Sequence, residues 1–201
     1  MVTITIGVVV PQSDAALRRS LADLEALRLP SSLVELLREV DMQWQQLQAR
    51  IADANRRIQA HANADEACMR LRAIIGIGPI TASALVASIG DAKNFDSGRQ
   101  VAAWLGLVPR QHSSGGKSNL LGMSKRGDTY LRTLLIHGAR SVIYRAGQRT
   151  ESCQWINNVV NRRNKNVAAV ALANKNARIV WALLAHDRHY QAGFVRAVAT
   201  S

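Results

Sequence analysis

Leu33, Leu37, Val40, Trp44, Leu47, Ile51, Ala54 and Ile58 follow one another at alternating steps of four and three. That period keeps one apolar side chain per turn on a single stripe of an α-helix, and a strand, whose faces alternate every second residue, cannot use it. A helix over this stretch is roughly 40 Å long at 1.5 Å per residue, too long to pack only against a small domain of its own chain. The repeat is the seam of a coiled coil, and self-association through Leu33, Leu37, Val40, Trp44, Leu47, Ile51 and Ile58 is the expected use. The competing reading is an ordinary amphipathic helix lying on a larger body. Ser32 with Glu35 three residues later makes a capping box after Pro30, so the helix has a start. Before it, residues 13–29 read as a short amphipathic helix with Leu17, Leu21, Leu24 and Leu27 on one side. The seam weakens where His61 and Asp65 fall on positions that should be apolar, which divides the chain into residues 1–66, a domain over 67–190 and a tail over 191–201.

Charge divides the chain at the same place. Residues 1–66 hold 7 Lys/Arg against 9 Asp/Glu, a net of −2, whereas residues 67–201 hold 19 against 5, a net of +14. A polyanion is therefore the expected partner of the second part. The first feature there is Gly76-Ile77-Gly78-Pro79, between an apolar helical end and a helix of small residues up to Ile89. It reads as a helix-hairpin-helix. Gly76 and Gly78 permit positive φ and close approach, Pro79 suits a first helical position, and free N–H groups there suit a phosphate oxygen without reading base sequence.

The second feature is the stretch from Pro109 to Lys125, interrupted by Gly115, Gly116 and Gly122, in which no regular element is expected. Arg110, Lys117, Lys125, Arg126 and Arg132 crowd around Ser113-Ser114-Gly115-Gly116. A serine attacking a phosphodiester needs freedom to line up on phosphorus and fixed positive charge where the non-bridging oxygens gain charge. Arg126 and Arg132 flank a helix start at Asp128, a favourable place for a phosphate. His112, with no visible carboxylate partner, reads as incidental. Further along, Leu131, Leu134, Leu135, Val142 and Ile143 form a buried stripe, with Arg132, Arg140 and Arg145 on other faces. Helices are expected over about residues 151–162 and 166–186; their basic residues could track a nucleic-acid backbone, and Trp155 and Trp181 read as core anchors.

Other classes recede. No continuous apolar run reaches the ~18–20 residues of a membrane span, and residues 1–11 lack the basic region of a signal peptide. Cys68 and Cys153 stand alone, without metal-ligand spacing, and read as packing residues in a reducing cytoplasm. The acids are scattered, so no metal site is expected in this chain.

The runs GIGPITASALVASIGD, WLGLVPRQHSSGGK and SKRGDTYLRTLLIHGAR, with VAAVALANKNARIVWALLAHDRHY further on, resemble the C-terminal transposase domain of the bridge-RNA-guided family of insertion-sequence transposases. The likeness spans about Val8 to Tyr190, and the spacing from the serine-glycine loop to KRG-x-x-x-LR is its most specific part. It implies an all-α fold: a long coiled-coil helix joining subunits, then a compact helical domain containing a helix-hairpin-helix. It implies DNA and a structured guide RNA as partners and a bacterial, nucleoid-associated setting. Carried over, the catalytic serine falls on Ser114, with Ser113 as alternate; Gly76, Gly78, Arg110, Lys117, Lys125, Arg126 and Arg132 bind nucleic acid. In that family a RuvC-like domain with four acidic residues and Mg2+ completes the site. Here Gly7 to Gln12 resemble the end of the connection leaving it, so this chain alone is expected to lack strand-transfer activity.

Overall fold

The computed structural model describes residues 13–22, 29–111, 120–145 and 154–191. It is mostly α-helical, as expected, and divides into two compact units, residues 1–56 and 57–201. In the first, α1 (Asp14–Ala22) begins after Ser13, whose Oγ accepts from the Ala16 N–H at 3.2 Å. Leu24 and Leu27 of the expected amphipathic stripe lie outside the described residues, as do residues 1–12 and 192–201. Helix α2 (Ser31–Ala64) runs unbroken for 34 residues, so the seam lies on one continuous helix. Val40, Leu47 and Ile51 on that seam are 52–59% exposed and Trp44 is 37% exposed, whereas Leu33, Leu37 and Ile58 are half-buried.

Asp65 closes α2 and opens α3 (Glu66–Arg72), its carboxylate accepting from the Cys68 N–H. A change of helix thus falls between Asn63 and Ala67, while the two compact units divide at residues 56 and 57, within α2. Cys68 is fully buried; burial, then the charge and hydrogen bond of Asp65, push its thiol up to about 11. α4 (Pro79–Ile89) ends at Gly90, φ +57, and Ser97 caps α5 (Gly98–Trp104) by accepting from the Gln100 N–H. α6 (Thr129–Arg145) starts at Asp128, whose carboxylate accepts from the Leu131 N–H at 2.9 Å. α7 (Gln154–Arg162) and α8 (Lys165–Ala185) follow, with Asn164 capping the latter. Each cap satisfies a backbone donor that the first turn of a helix leaves open.

α8 is the centre of the second unit, packing on α6 and α5 and more lightly on α3 and α7. Its buried face is largely alanine, Ala168, Ala169, Ala173 and Ala177 with Leu172 and Val180, so neighbouring helices come close. Leu71, Ile74, Leu85, Leu105, Leu107, Leu131 and Leu135 close around it. An 18-residue window of α8 reaches a mean hydropathy of 1.3, apolar enough to cross a membrane by length and composition. Its place at the middle of this core accounts for that composition.

The stretch expected to hold no regular element is the main correction. β1 (Pro109–Gln111) and β2 (Leu120–Met123) pair antiparallel, Pro109 opposite Met123 and Gln111 opposite Leu120, with an irregularity between. Pro109 begins its strand, where a missing N–H costs the ladder little, and Gly122 sits inside β2 instead of breaking it.

Candidate nucleic-acid interface

Ala73 ends α3 and Gly78 is the N-cap of α4, so residues 74–77 form the turn between two helices. Ile74 and Ile77 are buried and anchor it from below. Gly76 adopts φ +92, which a side chain rarely tolerates, and Gly78 caps α4 without a side-chain acceptor, leaving the first turn open to an anion. Two contacts from distant elements hold the turn. Asn176 of α8 donates its Nδ2 to the Ile75 carbonyl at 2.9 Å. Gly138 of α6 lies so close that a Cβ there would stand 1.9 Å from the Gly76 oxygen.

Beside this turn lies a groove of about 470 Å³, lined by Arg72, Gly76, Gly78, Thr81, Ser141 and Arg145 among others. Arg72 comes from the last turn of α3, where it donates to the Asn63 side chain, and Arg145 from the last turn of α6. Two guanidinium groups and a helix start without a side-chain cap thus line one groove, donors of the kind from which phosphate oxygens accept. Sequence reasoning singled out Gly76 and Gly78 but not Arg72, Arg145 or Gly138. Gly138 carried a signal, since a glycine in a helix interior is costly unless another backbone approaches.

The second cluster is the foot of the β1–β2 ribbon. Gly106 (φ +68) and Gly127 (φ +118) interlock: a Cβ on Gly106 would lie 2.2 Å from the Arg126 oxygen, and one on Gly127 1.8 Å from the Trp104 oxygen. The Lys125 N–H donates to the Gly106 carbonyl at 3.1 Å and the Ser124 N–H to the Val108 carbonyl at 2.8 Å. Lys125 itself is forced to φ +56. This lock places exposed Lys125 and Arg126 at the foot of the ribbon, with exposed Arg110 on β1. His112, Ser113, Ser114 and Lys117, which connect the two strands in the chain, lie outside the described residues.

Arg132 is a correction. Expected on a free face as a phosphate clamp, it is 8% exposed and faces inward. Its Nη1 donates to the Leu105 and Gly127 carbonyls at 3.3 and 3.4 Å and its Nη2 to the Thr129 hydroxyl at 3.1 Å. The guanidinium fork is thus spent on the two turns that meet beneath the ribbon, and Arg132 positions the neighbouring cations without facing solvent.

A larger groove, about 960 Å³, separates the ribbon from α7 and α8. Trp181 is a core anchor as expected, donating its indole N–H to the Ala92 and Phe95 carbonyls at 3.2 and 3.0 Å. Trp155 is not: it is 39% exposed on this groove, and the Lys175 ammonium stands 4.2 Å from its ring centroid. Burial lowers the Lys175 pKa from the ordinary lysine value.

Residues 68–153 match the model of the Transposase IS116/IS110/IS902 family, a range that takes in the helical turn, the ribbon and α6. Over these residues the chain is similar to that transposase family. It is 55% identical over 179 residues to the "Probable family 20 transposase" of Pseudomonas aeruginosa, an alignment covering 89% of this chain and 53% of that one. The transposase for insertion sequence element IS1111A of Coxiella burnetii is 49% identical over 71% of this chain and 40% of its own length. The transposase for IS1328 of Yersinia enterocolitica is 43% identical over 87% and 53%. The chain therefore spans about half the length of these relatives or less.

The matched residues include both clusters: Gly76 and Gly78 at the turn, Arg110, Lys125 and Arg126 at the ribbon. Among the described residues, no three His, Cys, Asp or Glu side chains converge on a point that would hold a metal ion.

Proposed function

We propose that this chain is the DNA-handling part of an insertion-sequence transposase, with two separate holds on the nucleic acid. The turn between α3 and α4, with Arg72 and Arg145, takes phosphates of a flanking duplex irrespective of sequence. The β1–β2 ribbon carries Ser113 and Ser114 in its connecting segment and presents Arg110, Lys125 and Arg126 near its strands. The observation that carries the reading is this ribbon: a rigid, glycine-locked foot bearing cations on either side of the segment that holds both serines.

In the proposed chemistry the Ser114 oxygen attacks phosphorus in line. The Oγ–P bond forms, the P–O bond to the neighbouring sugar breaks, and the freed sugar oxygen takes up the hydroxyl proton. One DNA end is then held as a phosphoserine ester, and attack by a sugar hydroxyl of another end reverses the steps to join it. Arg110, Lys117, Lys125 and Arg126 neutralise the charge growing on the non-bridging oxygens. The seam on α2 brings copies together, and a structured guide RNA is the second polyanion such a basic domain would hold.

Denaturing electrophoresis of the chain with labelled DNA and a supplied RuvC-like acidic domain tests the reading. The expected result is a covalent adduct lost in Ser114→Ala and retained in His112→Ala. A second reading, a non-catalytic nucleic-acid-binding module, draws on the Arg72–Arg145 groove. It predicts unchanged DNA affinity in Ser114→Ala with no adduct under any complementation.

A further inference from the structure

We propose that the groove between the ribbon and helices α7 and α8 is a subsite for one unpaired nucleotide of the DNA strand lying on the ribbon. The proposal rests on the reading above, that the ribbon handles a DNA strand. One wall is β2 itself, through Leu121 and Met123, so a strand laid along the ribbon passes the mouth of the groove. The other wall is Trp155 of α7 with Val167 of α8, both substantially exposed. At about 960 Å³ the groove is within the size range of small-ligand sites and shelters a base with its sugar and phosphate. A paired base, sealed between its neighbours in a duplex, offers no free face to it.

Charge chooses between a nucleotide and an apolar protein segment. Among the described residues lining the groove, the ionisable ones are Lys175 and Arg178, both cationic, and none is a carboxylate. An apolar segment would bury these cations without a counter-charge, which is costly; a nucleotide brings a phosphate for them together with a flat ring for the indole. Lys175 lies over one face of Trp155, so a base stacks on that face only as the ammonium swings aside to the phosphate of the same nucleotide. Asn166 and Asn174 add amides at the edge; Asn174 donates its Nδ2 to the Leu107 carbonyl, leaving its own carbonyl oxygen available to a base. Stacking on one aromatic side chain with these few polar contacts discriminates paired from unpaired more than one base from another.

The test is fluorescence anisotropy with the whole chain and two labelled DNAs of the same sequence, one fully paired and one with a short single-stranded gap. The wild-type chain should bind the gapped DNA about ten-fold more tightly. Trp155→Ala should lose that preference while keeping its affinity for the paired duplex, and Trp155→Phe should retain most of it. Should Trp155→Ala unfold α7, as read by circular dichroism, Val167→Glu takes its place: an exposed rim position gains a carboxylate that repels the phosphate. Equal wild-type affinity for the two DNAs overturns the subsite alone. So does an equal loss on both DNAs in folded variants, or loss of self-association in sedimentation without change in DNA binding. Absence of binding to either DNA overturns the DNA-handling reading as well.

Discussion

Replacing Gly138 by alanine sets two effects of opposite sign against each other. Helix propensity alone favours the change by ~1 kcal/mol, because glycine in a helix interior has the larger conformational entropy to lose. The packing forbids it. A Cβ at Gly138 would lie 1.9 Å from the Gly76 oxygen and 3.1 Å from its carbonyl carbon, where real Cβ contacts essentially never fall under 3.0 Å. The two backbones must part by about 1 Å, at the severe end of overpacking penalties of ~1–3 kcal/mol. The neighbouring atoms are backbone and cannot rotate away. The turn is also held from the other side by Asn176, so it cannot shift without straining a hydrogen bond of 2.9 Å. The net expectation is ~2 kcal/mol of lost stability, or a Tm lower by roughly 5–10 °C for a domain of this size. Thermal unfolding followed by circular dichroism measures it, with salt-dependent duplex binding recorded on the same samples. Duplex affinity should fall with it, because parting the backbones opens the groove between Arg72 and Arg145. A Tm equal to or above that of the parent would mean that the close approach of α6 does not shape the turn, and the account of the phosphate groove would go with it.

Arg132→Met should cost ~2–4 kcal/mol in urea unfolding, because the Leu105 and Gly127 carbonyls lose their donor in a buried place; an unchanged midpoint would restore Arg132 to the phosphate contacts. The exposed Asp187 carboxylate has its pKa lowered by the hydrogen bond and charge of Arg70 at 2.8 Å. A depressed carboxylate stabilises above its unfolded pKa and loses that contribution as pH falls through the folded one. Asp187→Asn should therefore lower Tm slightly at neutral pH, with the difference closing below the ordinary carboxylate range; a gap that persists in acid would contradict the ion pair. Leu47→Glu with Ile51→Glu should abolish self-association in sedimentation equilibrium, leaving the circular dichroism of the second unit intact. A parent chain that is already monomeric at high concentration would refute the seam.

Helices and their ends could be read along the chain because the signals are local. Ser97 and Asp128 each accept from a backbone N–H three residues on, and Gly90 stops a helix by its own φ. The seam on α2 was equally legible, since period is a property of one segment. The ribbon was not. Glycines read as breakers when nothing pairs with them, and only the return of Leu120–Met123 alongside Pro109–Gln111 makes them part of a ladder.

The identities of the cations near the serines were written in the sequence, but not which of them face outward. Lys125 and Arg126 stay exposed, while Arg132, a few residues on, turns inward to two carbonyls supplied by turns far apart in the chain. Likewise the groove beside the helical turn takes in Arg145, brought near Gly76 by the bare backbone of Gly138. By itself, the sequence determined most of the helices, the caps at Ser97 and Asp128, the apolar stripe of α2 and the basic half, because each depends on neighbours within a turn or two; the start of α2 fell at Ser31 on the Pro30 carbonyl and not on the Ser32 capping box. Tertiary structure decided which charges are free to meet an anion, because that depends on which carbonyls from distant segments are left needing a donor.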